Sequence, residues 1–317
     1  MSLLIIGSGL VGSQIARLAT EDEDVDAREE PIILFDVSPR IEALGEILDT
    51  KKVTVVQGDV LVVHDLYRVI KSFDVSRIIH TAANPLLTVG AQKAPYQAIQ
   101  LNIMGTANVL EAARLYDVER VVFASSNVIS LYAARGPFGF PIPTTIYSST
   151  KLACEHLGLN YFTSYGIDFA AIRFSAVFGP WRYGGGGAPT QKFKVILLNA
   201  LNKSTSFFPF SPMQYVYSKD AALGAMLAVQ AKKSALKARV YNISMEKIYS
   251  AEEIKRIVEA IVPEAKIELE KEVSAPDLVE GHLVDLTSAK AELGFAPRYN
   301  MHEAITDYVN WLRTNGG

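Results

Sequence analysis

Tyr147 and Lys151 stand four residues apart in the stretch Ile146-Tyr147-Ser148-Ser149-Thr150-Lys151. On a helix, positions i and i+4 share one face, so this spacing predicts a phenol beside an ammonium. A free phenol titrates near pH ~10. A neighbouring cation favours the phenolate and lowers that value, which suits a group that must pass a proton near neutral pH. The same spacing also arises by accident on helical surfaces, so its meaning rests on the rest of the chain.

The elements that must position such a pair are legible from the N-terminus onward. Leu3-Leu4-Ile5-Ile6 has the pattern of a strand buried on both faces. Gly7-Ser8-Gly9-Leu10-Val11-Gly12 follows directly, and Ser13 to Ala19 is helical in pattern. Strand, glycine turn and helix form a dinucleotide fingerprint. Gly7 permits the turn, Gly9 lets the backbone approach a pyrophosphate, and Gly12 lets the helix pack close to the strand. The phosphates of the bound dinucleotide would rest on the helix N-terminus, at Leu10 and Val11.

The second strand, Ile32-Ile33-Leu34-Phe35-Asp36, ends in an acid. Asp36 is placed to accept from the adenosine ribose hydroxyls and to repel a 2′-phosphate, which favours NAD over NADP. Arg40, four residues on, is the residue type that accommodates that phosphate. Between glycines and acid, Glu21 to Pro31 is charged and reads as a solvated loop. Further strands are expected at 53–56, 77–80, 120–124, 168–174, 214–217 and 239–243. Helices are expected at 64–73, 92–116, 147–165, 220–231, 251–261, 288–294 and 301–313. Strands alternating with helices imply parallel βαβ units in a doubly wound sheet, whose ligands lie beyond the carboxyl ends of the strands. Gly7, Asp36, Asp59, Ala82 and Ser126 all fall at such ends.

The bulk properties are those of a globular enzyme-sized chain. It has 317 residues, 49% hydrophobic and 21% charged, with a formal net charge of -3. That balance gives no sign of a nucleic-acid partner or a membrane surface. No apolar run approaches the roughly 18 residues of a spanning helix, and the N-terminus lacks the pattern of a signal peptide. Cys154 is the only cysteine, which fits a reducing, cytoplasmic setting and a small buried hydrophobe. His64, His80, His156, His282 and His302 show no metal-ligand spacing, so no metal is expected.

Taken together, these motifs resemble the extended short-chain dehydrogenase/reductase family, also called the NAD-dependent epimerase/dehydratase family. The likeness rests on the glycine turn, Asp36, Gly58-Asp59-Val60, His80-Thr81-Ala82-Ala83, Asn102 before Gly105-Thr106, and Ser125-Ser126. Tyr147 with Lys151, Arg173 through Pro180, and Asp285 through Pro297 complete it. The resemblance implies an α/β fold, a Rossmann-type doubly wound parallel sheet with a smaller C-terminal α/β substrate domain. Residues 1–178 and 212–247 would form the NAD-binding part, and 179–211 and 248–317 the substrate-binding part. It implies Tyr147 as general acid/base, Lys151 as the group that lowers the tyrosine and bonds the nicotinamide ribose, and Ser126 as holder of the substrate oxygen. The alternative role of Ser126 is to cap a helix or turn. Asp59 and Val60 would meet the adenine, while Ala82, Ala83, Asn102 and Phe174 would line the cofactor path. Asn84, Asn127 and Tyr183 are candidate substrate contacts, and Asn127 also reads as a turn residue. Arg173 reads as structural. A homodimer packed through 92–116 and 147–165 is expected.

Departures from the family pattern bear on the substrate. Ile6 stands where the fuller glycine motif has another glycine. Members that act on sugar nucleotides commonly place arginines where this chain has Met213 and Ala275. Two missing charge-assisted phosphate contacts, each worth ~1.5–3 kcal/mol, argue against a tightly held nucleotide-sugar. Arg182 and Arg298 are the candidates to substitute from other positions. Dehydratases often carry an acid just after the catalytic serine, where this chain has Asn127 and Val128. Gly184 to Gly187 reads as a cover over a pocket or a phosphate cradle. The expected function is hydride transfer at a hydroxyl or carbonyl of a small, sugar-like substrate. Epimerisation of a nucleotide-sugar with tightly bound NAD is the alternative.

Overall fold

Seven short apolar runs lie side by side in one parallel sheet, in the order 240–243, 168–174, 120–126, 75–80, 2–6, 32–36, 53–57. A computed structural model describes residues 1–22, 30–83, 87–131, 134–135, 141–183, 187–208, 213–269 and 283–316. Ser2–Ile6 shows why the runs read as continuous apolar segments. All five residues are buried. Leu3 and Ile5 enter the core on one face, Leu4 and Ile6 the core on the other. A strand turns successive side chains to opposite faces, so a strand covered twice needs no polar residue.

Helices Leu10–Glu21 and Ser218–Gln230 supply the first cover, through Ile15, Leu18, Ala222 and Met226 among others. Helices Val63–Ser72, Gly105–Leu115 and Ile146–Tyr165 supply the second, through Leu66, Val69, Leu110 and Cys154. The strand order runs outward in opposite directions from Ser2–Ile6 and Val75–His80, so their carboxyl ends form the switch point of the sheet. The expected Rossmann-type doubly wound architecture is present.

A second core sits on the C-terminal side. Phe178, Phe193, Tyr215, Tyr217, Ile254 and Tyr308 pack together there, with Phe178 and Phe193 stacked at 4.3 Å between centroids. Strand Met213–Tyr217 pairs with Ala176–Phe178 and Ile248–Tyr249 rather than joining the large sheet. It therefore stands at the junction: Val216 faces the sheet core while Tyr215 and Tyr217 face the second one. Helix Ala188–Leu201 and the paired strands Thr205–Phe208 and Lys266–Leu269 carry no clear periodicity in the sequence and were not expected from it.

The long segment expected at 92–116 is interrupted. Helix Pro95–Ile99 passes into a π-helical turn, Gln100–Met104, before Gly105–Leu115 continues as α-helix. Such turns cluster at functional sites. Asn84, Gly184 to Gly186, Ala275 and most of the charged insert lie outside the described residues.

Candidate active site

The glycine turn fits a dinucleotide. Gly7 has φ +97, and a Cβ there would lie 2.7 Å from Thr81 Oγ1 and 2.8 Å from the Ala82 nitrogen. A Cβ on Gly12 would come within 1.8 Å of the Gly7 carbonyl oxygen. Both positions are closed to any larger residue. Gly9 differs: a Cβ there would meet no atom within 4 Å. It is the N-cap of helix Leu10–Glu21 and has no side chain to cap the first turn. The amides of a helix's first turn have no partner within the helix, and a glycine at the N-cap leaves room for a pyrophosphate to reach them. Ile6 replaces a family glycine without disturbing this. Its side chain is buried in the core, and its carbonyl accepts from Thr81 and Ala82.

Asp36 ends its strand beside this turn. Its Oδ2 accepts from the Ser8 amide at 2.7 Å and its Oδ1 from the Ser38 amide at 2.9 Å. A carboxylate has about four lone-pair sites, so acceptor capacity remains for two ribose hydroxyls. Asp59 Oδ1 accepts from the Leu61 amide at 2.9 Å, and the adjacent Val60 is buried. Ala82 and Ala83 are half-buried just past the end of strand Val75–His80. The residues present fit NAD.

Ser126, Tyr147 and Lys151 come together at the end of strand Arg120–Ser126. Thr145 caps helix Ile146–Tyr165 through a capping box with Ser148, which sets where Tyr147 starts the helix. The Ser126 hydroxyl lies close enough to the Tyr147 phenol to lower its pKa. Ser126 Oγ also accepts from the Val128 amide at 3.3 Å, so it caps the turn as well. Lys151 Nζ lies 5.8 Å from the centre of the Tyr147 ring and donates to the Ala124 carbonyl at 2.6 Å.

Burial dominates the electrostatics of this group. It raises the Tyr147 phenol above its ordinary value, and the neighbouring Ser126 hydroxyl partly offsets that. Burial also pushes Lys151 down to about 8, against the opposing pull of Cys154 and Glu155. The lowering of the phenol expected from the Lys151 charge is not what governs Tyr147: the loss of solvent dominates and acts in the opposite direction.

A buried chain of hydrogen bonds runs behind the trio. His80 Nε2 lies 3.1 Å from Thr106 Oγ1. Thr106 donates its own proton to the Asn102 carbonyl at 2.6 Å, so the network assigns the proton of that contact to His80 Nε2. The Asn102 side-chain amide donates to Thr150 Oγ1 at 2.9 Å, and Thr150 donates to the Tyr147 carbonyl at 2.8 Å. Asn102, from the π-helical turn, thus ties that turn to the helix of Tyr147. Burial and the Lys151 charge hold His80 down to about 3, so it stays neutral. His80 and Thr106 belong to motifs visible in the sequence, but only the fold links them to Tyr147; Thr150 showed no signal beyond its place between Tyr147 and Lys151.

The remaining candidates divide. Phe174 is buried and its carbonyl accepts from the Asn127 amide at 3.0 Å. Asn127 is buried and its side chain donates to Ser175 Oγ at 2.9 Å. Arg173 grips Glu155 with two bonds, at 2.8 and 2.6 Å. Tyr183 packs with Arg40 and Trp181, beside the Asp36 end of the cleft. Among the described residues no cluster of His, Cys, Asp or Glu could hold a metal ion, and no helix is long and apolar enough to cross a membrane.

The profile of the NAD dependent epimerase/dehydratase family matches residues 3–244. A UDP-glucuronate 4-epimerase of Thermodesulfobacterium geofontis is 25% identical over 291 residues, covering 89% of this chain and 86% of that protein. A UDP-glucose 4-epimerase of Thermotoga maritima, solved with UDP-glucose, superposes with a TM-score of 0.82 at 19% identity over 99% of both chains. An L-threonine dehydrogenase of Cupriavidus necator gives 0.81 at 24% identity, over 98% of this chain and 100% of the other. One backbone therefore serves both epimerases and a dehydrogenase, and the side chains must distinguish them.

Proposed function

We propose that this chain, which belongs to the NAD dependent epimerase/dehydratase family, is an NAD-dependent oxidoreductase acting on a hydroxyl or carbonyl of a small, sugar-like molecule. NAD, when bound, supplies the hydride chemistry. The observation that carries the reading is the grouping of half-buried Ser126 with buried Tyr147 and Lys151 at the carboxyl end of the sheet. Tyr147 moves the proton on the substrate oxygen. Ser126 holds that oxygen and keeps the phenol within reach. Lys151 brings a positive charge beside the ring and retains further N–H donors for a ribose. Gly9, the amides of Leu10 and Val11, Asp36, Asp59, Val60, Ala82, Ala83, Asn102 and Phe174 hold the dinucleotide along the strand ends, and Asp36 disfavours NADP.

The substrate class follows from charges that are absent or engaged. Met213 is a half-buried apolar residue opposite Tyr249. Arg182 pairs with Glu46 at 2.5 Å and donates to the Asn315 carbonyl. Arg298 pairs with Asp22. A pyrophosphate entering here meets neither the expected arginine at 213 nor an uncommitted substitute from 182 or 298. The test is NADH formation by purified protein across sugars, uronates and hydroxy acids. Turnover that Tyr147→Phe abolishes supports the reading, and turnover that survives it overturns the role of Tyr147.

The second reading, a nucleotide-sugar epimerase with tightly bound NAD, is favoured by a relative named a UDP-glucuronate 4-epimerase that matches across most of both chains. Calorimetry with UDP- and dTDP-sugars separates the two. Micromolar binding would overturn the argument from Met213. We also propose a homodimer packed through the 92–116 and 147–165 segments, where Tyr96, Ile99, Met104, Leu115 and Tyr165 are exposed. Sedimentation equilibrium measures it, and a monomer at micromolar concentration would refute it.

A further inference from the structure

We infer that Tyr183 is a cofactor-specificity residue: its ring holds the Arg40 guanidinium away from the adenosine ribose, so that Asp36 alone confronts a 2′-phosphate. This rests on the reading of Asp36 as the ribose acid and extends it to a residue distant in sequence that packs against Arg40.

Arg40 is exposed and lies at the start of helix Ile41–Gly45, four residues beyond Asp36. Its guanidinium stands over the Tyr183 ring, 5.1 Å from the centroid. Among the described residues it forms no ion pair. A cation this near the ribose acid is the group that would neutralise a 2′-phosphate, since a bidentate guanidinium matches phosphate oxygens. Parked on the ring, it is drawn toward the π-face instead.

Both sides of this contact are anchored. Ala43 and Leu44 bury the helix that follows Arg40 in the core. Trp181 is buried two residues before Tyr183. Between them Arg182 pairs with Glu46, which belongs to the same stretch as Arg40. The Glu46 carbonyl in turn accepts from Trp311 Nε1 at 3.0 Å. The ring is therefore presented to Arg40 by a stiff frame, and the weak contact does not have to order its own partners.

The test is the ratio of dissociation constants for NADP and NAD, measured by fluorescence titration, which needs no substrate. Tyr183→Ala is expected to improve NADP binding relative to NAD by about two- to fivefold, the range of an exposed cation–π contact. Tyr183→Phe keeps the ring and should leave the ratio unchanged. In an Arg40→Ala background, Tyr183→Ala should have no effect on it. An unchanged ratio in Tyr183→Ala, or a gain that persists without Arg40, overturns the proposal. Failure of the unaltered protein to bind either dinucleotide would be a separate outcome, removing the cofactor reading and this inference together.

Discussion

The Lys151 ammonium donates to the Ala124 carbonyl across 2.6 Å, beneath the Tyr147 ring and out of solvent. A buried cation is a burden on the fold. Lys151 has its ordinary value of 10.5 in the unfolded chain and about 8 when folded. The folded state therefore resists protonation that the unfolded chain accepts, and the cost is fully present below pH about 8. It fades as pH rises from about 8 to 10.5. The shift corresponds to roughly 3 kcal/mol, of which the bond to Ala124 returns about 1. Lys151→Met should thus raise stability by about 2 kcal/mol at pH 7 and abolish turnover. Urea unfolding at pH 7 and pH 10 checks it: the variant's advantage must shrink at the higher pH. A variant less stable than the parent at pH 7 would refute the argument.

Ser126 lowers the Tyr147 phenol against the upward push of burial. Ser126→Ala removes that help. In the oxidative direction the rate rises as the phenol loses its proton, so the rising limb of the pH profile should move to higher pH. At neutral pH the rate should fall about 10- to 100-fold, within the range of general acid–base effects. An unmoved profile would mean that Ser126 acts only as the cap of the turn at Val128.

Thr150 links Asn102 to the backbone of Tyr147. Thr150→Val keeps the shape and deletes both bonds, leaving a buried amide short of an acceptor at a cost of about 1–3 kcal/mol. The expected result is kcat lowered about tenfold, with a smaller loss of NAD affinity, because the phenol shifts while Asn102 is the one residue of the cradle that loses a bond. Thr150→Ser should restore kcat. Equal loss of NAD affinity, or no rescue by serine, would make the link merely structural.

Asp168 lies buried between Arg120 and Arg239. Arg120 also donates to the carbonyls of Ala228 and Val229 at the end of helix Ser218–Gln230, both at 3.1 Å. Asp168→Ala strands two buried cations and should cost about 3–5 kcal/mol. Chemical denaturation measures it, and a loss under 1 kcal/mol (roughly the value of an exposed pair) would show that the helix carbonyls suffice.

The sequence by itself determined the sheet and the local half of the site. Apolar runs at Leu3–Ile6 and Ile32–Phe35 read as strands covered on both faces, because they are short, uninterrupted by polar residues and bounded by turn residues. The glycine spacing at 7, 9 and 12, the acid at 36 and the four-residue step from Tyr147 to Lys151 are all read within one turn or one strand end, where periodicity is enough. The π-helical turn at Asn102, the helix at Ala188–Leu201 and the pairing of Met213–Tyr217 with Ala176–Phe178 left no such trace. Nor did the chain from His80 to Tyr147, or the seat of Arg40 on Tyr183, whose partners lie far apart in sequence. Only the tertiary structure decided these. It also decided the balance at Lys151, since desolvation depends on how many neighbours close around a group, and spacing along the chain does not count them.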